Sequence, residues 1–313
     1  MEQEHLFTDP TKNDFSLLKE SVQTYLDTTI GGNEQTIPTG FIDIDLLTGG
    51  LHRSDLIILA GGSMVGKTAL ALNIGLNTAL RFTSKVGVVS LQESGHAISN
   101  RVLAMKSDVD AFRIRTGRLS PRDLRQIGEA TIQTSKAPLY IDDTPNLDMK
   151  ELRSRTLRLH NKVGLDLLIV DYLQLIQQPA RRGRNQKIIS TAESLKSLAG
   201  EIDVPVLVTS QLLRSVDRRS DHIPILSDLP GGRNIENVAD LVLLMYKEDL
   251  YDPQTERRGL VDISAVKHRH GPMQNLTLLF LEKTVKFVTI GLDEDDRDSH
   301  DPETWVDPLT SFQ

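Results

Sequence analysis

Residues 56–60 read LIILA, and the octapeptide Gly61-Gly62-Ser63-Met64-Val65-Gly66-Lys67-Thr68 follows directly; residues 68–80 then read TALALNIGLNTAL. An apolar run, a motif of the form G-x-x-x-x-G-K-[ST] and a helical apolar pattern thus succeed one another without a gap. That order predicts a strand, a phosphate-binding loop and a helix. Backbone N–H groups of such a loop, together with the helix N-terminus, form a positive cradle for phosphates. The Lys67 ammonium is expected at the β- and γ-phosphates and the Thr68 hydroxyl on Mg2+, so ATP and Mg2+ are the expected ligands.

Working outward, the same kind of apolar run recurs at residues 86–91 (VGVVSL), 139–141, 165–170 (LDLLIV), 206–209 and 241–246 (LVLLMY). Helical patterns separate the runs, among them one opened by Ser120-Pro121 and one over residues 148–161. The alternation predicts an α/β fold with a mostly parallel sheet, its strands covered on both faces. Beyond Leu260 the runs shorten to residues 261–266, 276–281 and 286–288, with turns at Gly271-Pro272 and Glu282-Lys283; these predict an antiparallel extension. Upstream, residues 14–27 place Phe15, Leu18, Val22 and Tyr25 at helical spacing behind Asp14, a good N-cap, and residues 28–36 read as a linker in which Gly31-Gly32 stops the helix. Periodicity alone favours that amphipathic helix folding onto its own domain over docking on a neighbour. The expected organisation is a disordered stretch at 1–13, a helix and linker at 14–36, the α/β body at 37–290 and a tail at 291–313.

Composition narrows the classes. The chain of 313 residues contains no cysteine, which excludes a disulfide scaffold, Cys-ligated metal and a thiol nucleophile. No apolar run reaches the ~18–20 residues of a membrane span and no signal-peptide pattern opens the chain, so a cytoplasmic protein without membrane partners is expected. The formal charge of −7 resides wholly in residues 291–313, leaving 35 acids against 35 bases over residues 1–290. A neutral body means that any nucleic-acid contact is local. The tail reads either as a solvated segment or as an acidic lure for a basic partner.

Two further residues belong with the loop. Asp171 closes the run LDLLIV, so its carboxylate is expected at the ligand end of a parallel sheet, where it can hold the metal with Thr68. Gln211 follows the run at 206–209 in the same manner and can sense a γ-phosphate or orient water.

Four stretches, Asp171-Tyr172-Leu173-Gln174-Leu175-Ile176, Thr209-Ser210-Gln211-Leu212, Ile37-Pro38-Thr39-Gly40-Phe41 and Lys267-His268-Arg269-His270-Gly271-Pro272, resemble the motifs of DnaB-type replicative DNA helicases. The resemblance runs from about Phe15 to Val288. It implies a RecA-like P-loop core, a homo-hexameric ring and ATP-driven 5′→3′ movement on single-stranded DNA. It also implies that the linker helix packs on the adjacent subunit, reversing the periodicity reading. Lys267 and Arg269 are implied to reach the γ-phosphate held by a neighbour, a role in which two cations stabilise charge on the transferring phosphoryl group. His268 and His270 are given no catalytic part. By the same resemblance the basic loop at residues 180–187 (ARRGRNQK), with Arg181, Arg182, Arg184 and Lys187, lines the DNA channel. A second loop at residues 228–234 (DLPGGRN) contributes Arg233. Phosphate tracking rather than base stacking is expected, since aromatic residues make up 4% of the chain. A helicase loader or other replication protein is an implied partner, and nucleoid association follows.

Three departures from the family pattern stand out. Only about fourteen residues precede the linker helix, where the family carries a helical domain that recruits primase, so primase stimulation through such a domain is not expected. Where the family places a water-polarising glutamate after residues 86–91, this chain has Gln92, followed by Glu93. Glutamine orients water but accepts no proton, and loss of a general base costs ~10²–10⁴-fold. The second loop reads Pro230-Gly231-Gly232-Arg233, with its arginine displaced by three positions. Two alternatives stay open: a hydrolysis-impaired paralogue that binds ATP as an assembly partner, and a RecA/RadA/KaiC-type ATPase.

Overall fold

Residues 17–19, 22, 36–177 and 183–291 are described in a computed structural model. Contacts divide the chain into a unit at residues 1–35 and a unit at residues 36–313. In the first, Leu18, Lys19 and Val22 are helical, and Leu18 and Val22 are exposed. The rest of the expected linker helix, with Asp14, Phe15, Tyr25 and Gly31-Gly32, lies outside the described residues, as do residues 1–13 and the acidic tail beyond Gly291.

The second unit is built around the apolar runs. In chain order the strands are β1 (Thr36–Ile37), β2 (Leu51–His52), β3 (Leu56–Gly61), β4 (Val86–Ser90), β5 (Leu139–Asp142), β6 (Leu167–Asp171), β7 (Val206–Gln211), β8 (Leu241–Tyr246), β9 (Leu260–His268), β10 (Asn275–Leu281) and β11 (Lys286–Thr289). The helices are α1 (Ile42–Thr48), α2 (Lys67–Arg81), α3 (Gly95–Ser107), α4 (Ala111–Thr116), α5 (Pro121–Thr134), α6 (Met149–Val163), α7 (Arg184–Ile202) and α8 (Arg233–Val238). Strands β1 and β2 pair alone; the other nine form one sheet in the order β11-β10-β9-β8-β3-β7-β6-β4-β5. From β8 through β5 neighbouring strands run parallel, and β8-β9-β10-β11 are antiparallel, as the shorter C-terminal runs predict.

Continuous apolar runs are needed because successive side chains enter different layers. Ile57, Leu59, Val88, Ile169 and Leu207 pack with α2 and α3, while Leu56, Ile58, Ala60, Val170 and Val208 pack with α6 and α7. Each fully buried aliphatic side chain stabilises the fold by roughly 1.5–3 kcal/mol. Strand β5 departs from the expectation. As the edge of the sheet it is covered incompletely, and Tyr140 and Ile141 are exposed. The Ser120 cap of α5 carries a full capping box with Asp123, and Asp148 caps α6.

Helix α2, which carries the loop lysine, is pinned at its middle. The buried Asn73 donates Nδ2–H to the Val285 carbonyl at 3.1 Å and accepts the Phe287 N–H at 3.2 Å. The antiparallel hairpin thereby holds the middle of the helix that follows the loop. No described helix is long and apolar enough to cross a membrane.

Candidate active site

Strand β3 ends at Gly61, beside β7 and β8, and the loop turns there into α2. A Cβ on Gly61 would lie 2.7 Å from Val65 Cγ1; Gly66 has φ 99° and a Cβ there would meet Phe287 Cζ at 2.9 Å. Gly66 admits only glycine and a side chain at Gly61 would have to push Val65 aside; such close approach leaves the backbone N–H groups bare toward a ligand. Ser63 and Met64 at the crest are exposed.

Lys67 Nζ donates to the Gly62 carbonyl at 2.5 Å, folding the side chain back over its own loop. Burial pushes its pKa down to about 8, opposed by the charge of Asp171. The Thr68 hydroxyl donates to Asp171 Oδ2 at 2.7 Å, and the Thr209 hydroxyl donates to Oδ1. Asp171 is buried at the end of β6. A hydroxyl and a carboxylate oxygen side by side suit a hard cation that takes its remaining ligands from phosphate and water, so the residues present fit Mg2+. Gln211 lies opposite Gly61 in register; its Nε2–H donates to Ser63 Oγ at 3.0 Å, and its carbonyl accepts the Gln174 amide at 2.9 Å. Lys67, Thr68, Asp171 and Gln211 therefore converge on one end of the sheet.

Gln92 and Glu93 lie beyond the end of β4, in a bend held by Ser90, whose hydroxyl donates to the Glu93 carbonyl at 2.7 Å and accepts its N–H at 3.2 Å. Neither residue is in the strand. Gln92 is exposed. The Glu93 carboxylate is clasped by Arg101 of α3 through Nε at 2.7 Å and Nη2 at 2.6 Å.

Lys267 and Arg269 lie elsewhere. They sit at the end of β9, where Leu241 pairs with His268, and so beside the beginning of the parallel strands. Lys267 Nζ donates to the Glu236 carbonyl, and Arg269 Nη1 donates to Asp240 Oδ1 at 2.7 Å. Burial, and second the Arg269 charge, hold the Lys267 ammonium below the ordinary lysine range. Strand β3 has six residues, so at ~3.3 Å per residue about 17 Å separates this end of the sheet from the loop. The two cations stand at the opposite end of the sheet from their own Lys67.

The two basic segments are shorter as loops than the sequence suggests. Arg184 and Lys187 belong to the first turn of α7 after Gly183, and Arg233 opens α8 after Gly232; extended backbone at Gly183 and positive φ at Gly232 end the loops and start the helices. Lys187 is half-buried and Arg233 exposed. Arg181 and Arg182 lie outside the described residues. The two segments meet, for a Cβ on Gly231 would stand 3.2 Å from Ile189 Cγ1. Between α7 and α8 a groove of about 540 Å³ is lined by polar Asn185, Gln186, Asn234 and Asn237, among others.

A column of rings beside the loop has no counterpart in the sequence reading. His222 stacks on Tyr251 with centroids 4.3 Å apart and planes at 8°, and Tyr246 lies 6.0 Å from Tyr251 at 12°. The Tyr251 hydroxyl stands 3.4 Å from where a Cβ of Gly62 would be. The three residues come from separate segments, and no spacing rule joins them; the available signal was a tyrosine at the end of a core strand and a second beyond the turn that follows.

This arrangement is shared with known proteins. Residues 36–289 match the family described as DnaB-like helicase C terminal domain. The chain is 40% identical over 256 residues to the replicative DNA helicase DnaB of Geobacillus stearothermophilus, covering 81% of this chain and 56% of that protein. It is 38% identical over 261 residues to the replicative DNA helicase DnaC of Bacillus subtilis strain 168, covering 83% and 58%. It thus spans a little over half the length of these relatives. Among solved structures, the ATPase domain of G40P superposes with a TM-score of 0.83 at 28% identity, covering 88% of this chain and 100% of that one. A DnaB-like replicative helicase described with its primase interactions superposes at 0.80 and 28%, covering 89% and 68%. A RecA/RadA/KaiC-type assignment is not favoured. With the loop, Asp171, Gln211 and the remote Lys267–Arg269 pair all falling inside the matched span, the chain belongs to the DnaB-like helicase C-terminal domain family.

Proposed function

We propose that the protein is an ATP-dependent DNA helicase motor of replication, stepping 5′→3′ on single-stranded DNA as a homo-hexamer. One observation carries the reading: residues that fit phosphate and Mg2+ converge at one end of the sheet, and two cations stand at the other. A single copy cannot bring them together, whereas a head-to-tail interface sets the Lys267 and Arg269 of one copy on the loop of the next. Head-to-tail interfaces generate a ring when the rotation between copies closes.

In this scheme the backbone of residues 61–66 cradles the phosphates, and Lys67 exchanges the Gly62 carbonyl for phosphate oxygen. Thr68 and Asp171 would hold Mg2+, which would supply charge to offset that developing on the phosphoryl group. Gln92, with Glu93 beside it, handles the attacking water. Gln211 reports the occupant of the loop through its bond to Ser63, while Lys267 and Arg269 act in trans. The ring column of His222, Tyr251 and Tyr246 offers a face for the nucleotide base. Support for docking between copies comes from apolar surface in both units: Leu18 and Val22 of the N-terminal segment, and Leu124, Ile132, Tyr140 and Ile141 of the body, all exposed. The proposed DNA track is the groove between α7 and α8, which Glu193 also lines, with the basic residues next to it in sequence: Arg181, Arg182, Arg184, Lys187 and Arg233. A ring concentrates these basic segments in its channel although each subunit body is neutral. A loader and other replication proteins are the proposed partners, at the nucleoid.

The test is unwinding of a forked duplex with ATP and Mg2+. Displacement is expected only when a free 5′ tail is present, and none with Lys67→Ala. Unwinding from a 3′ tail, or strand pairing without unwinding, would sink the reading.

The depressed Lys67 pKa gives a pH prediction. Free protein loses the Lys67 charge as pH rises through about 8, whereas bound phosphate keeps it protonated. ATP affinity is therefore expected to fall by up to about tenfold per pH unit above that point, with proton uptake on binding. The folded chain holds this proton less tightly than the unfolded chain, so the same titration makes the free protein more stable between about pH 8 and about 10.5; weaker binding there is not unfolding. Calorimetry in buffers of different ionisation enthalpy measures the uptake, and a flat affinity profile would contradict the assignment.

A further inference from the structure

Asp240 has no part in the scheme above, yet it is fully buried and makes an unusual set of bonds. Its Oδ1 accepts Arg269 Nη1–H at 2.7 Å, and its backbone carbonyl accepts the Arg269 N–H at 2.9 Å. Its Oδ2 accepts the Leu56 N–H at 2.9 Å and pairs with Lys196 Nζ at 2.6 Å, while its own N–H donates to the Leu56 carbonyl at 2.9 Å. One residue therefore grips Arg269 by both side chain and backbone, and grips the first residue of β3 by both of its backbone groups. The Arg269 side chain is nonetheless 52% exposed, so Asp240 orients the guanidinium through one nitrogen while the fork still faces outward. A guanidinium has five N–H donors in fixed geometry, and a single buried carboxylate at one corner sets the direction of the others.

We propose that Asp240 is the positioning residue for the trans-acting Arg269, holding the guanidinium aimed at the phosphoryl group of the neighbouring subunit. A buried acid before an apolar strand would otherwise read as a strand-end acceptor for Leu56 alone. Two features exceed that role: the double grip on Arg269, and the second cation. Lys196 partly neutralises Asp240, so the carboxylate stays anchored when Arg269 engages an anion. The same residue joins the aimed arginine to the strand that ends in the phosphate loop, so the neighbour's site and the chain's own are linked through one rigid element. The proposal rests on the trans reading of Arg269 given above.

The experiment measures trapping of a fluorescent ADP with aluminium fluoride, which needs the arginine but no general base. Asp240→Asn alone is expected to trap about ten- to hundredfold more weakly than wild type, the worth of one charge-assisted hydrogen bond, with affinity for ADP without fluoride unchanged. Mixing Asp240→Asn subunits with excess Lys67→Ala subunits, whose arginine is intact and whose loop is dead, is expected to restore trapping in the Asp240→Asn loops. A defect passed through β3 to the chain's own loop would not be restored, and that outcome overturns the proposal. Arg269→Ala mixed with Lys67→Ala is the reference: failure there, or no trapping by wild type, overturns the trans reading itself and this proposal with it. Rescue of Arg269→Ala but not of Asp240→Asn overturns this proposal alone. Should Asp240→Asn not fold, Asp240→Glu keeps the charge and displaces the guanidinium by one methylene; a loss restored by mixing is expected, and wild-type trapping by it would refute the positioning role.

Discussion

Arg269→Ala is expected to lower single-stranded-DNA-stimulated ATP turnover about 10³-fold or more, with ADP affinity unchanged. The magnitude follows from the arginine's task. A guanidinium placed against the transferring phosphoryl group meets charge that develops only in the transition state, so its removal is felt in kcat and not in ground-state binding. Two facts localise the effect. Arg269 lies at the end of the sheet remote from its own loop, so it cannot distort that loop directly. Its removal also leaves Asp240 supported by Lys196 and the Leu56 N–H. Breaking a buried pair outright costs about 3–5 kcal/mol, but a carboxylate that keeps another cation and a backbone donor loses less, so the fold survives. Arg269→Lys should recover little, because an ammonium offers a point charge where the fork must hold two oxygens. Steady-state turnover, ADP titration and thermal unfolding on the same preparations decide the matter. Equal losses in ADP affinity and turnover would mean that the arginine shapes the ground state.

The central strands were legible because each carries apolar residues into two layers, leaving no polar interruption to obscure its limits. The same logic misjudged residues 139–141: their apolar letters are those of a core strand, but only the topology makes β5 the edge. The convergence of the loop, Asp171 and Gln211 was equally legible, since each follows a core strand and a parallel sheet brings strand ends together. Contacts that cross the fold were not. His222, Tyr246 and Tyr251 form a column only because the segment after β7 folds back beside the loop. Asp240 looks like any acid preceding an apolar run until Arg269 and Leu56 are seen on it. The Glu93–Arg101 pair joins a bend to a helix that periodicity does not orient. In the basic segments Gly183 and Gly232 were read as loop residues, whereas each ends its loop and lets Arg184 and Arg233 begin a helix.

Gln92→Glu is expected to raise DNA-stimulated ATP turnover about 10²–10⁴-fold, with KM for ATP changed little. The argument turns on which of two neighbours can serve the water. Glu93 has the chemistry of a base, but its carboxylate is held by two charge-assisted bonds from Arg101 at 2.6 and 2.7 Å. Hydrogen bonds to charged groups contribute about 1.5–3 kcal/mol each, so freeing Glu93 would consume much of what a base returns. Gln92 is exposed at the end of β4, and an amide there can orient water without taking its proton. The chain therefore has a positioned but non-basic residue at 92 and a basic but engaged residue at 93. Glu93→Ala should then leave wild-type turnover nearly unchanged while loosening α3, and Arg101→Ala should not accelerate it beyond a few-fold. If instead wild type turns over rapidly and Glu93→Ala abolishes it, Arg101 must release its partner during the cycle, and the Gln92 assignment fails. If Gln92→Glu gains nothing while nucleotide trapping is intact, water activation lies with neither residue. A large gain in Gln92→Glu would show that the glutamine limits the rate of the wild-type motor without removing its activity.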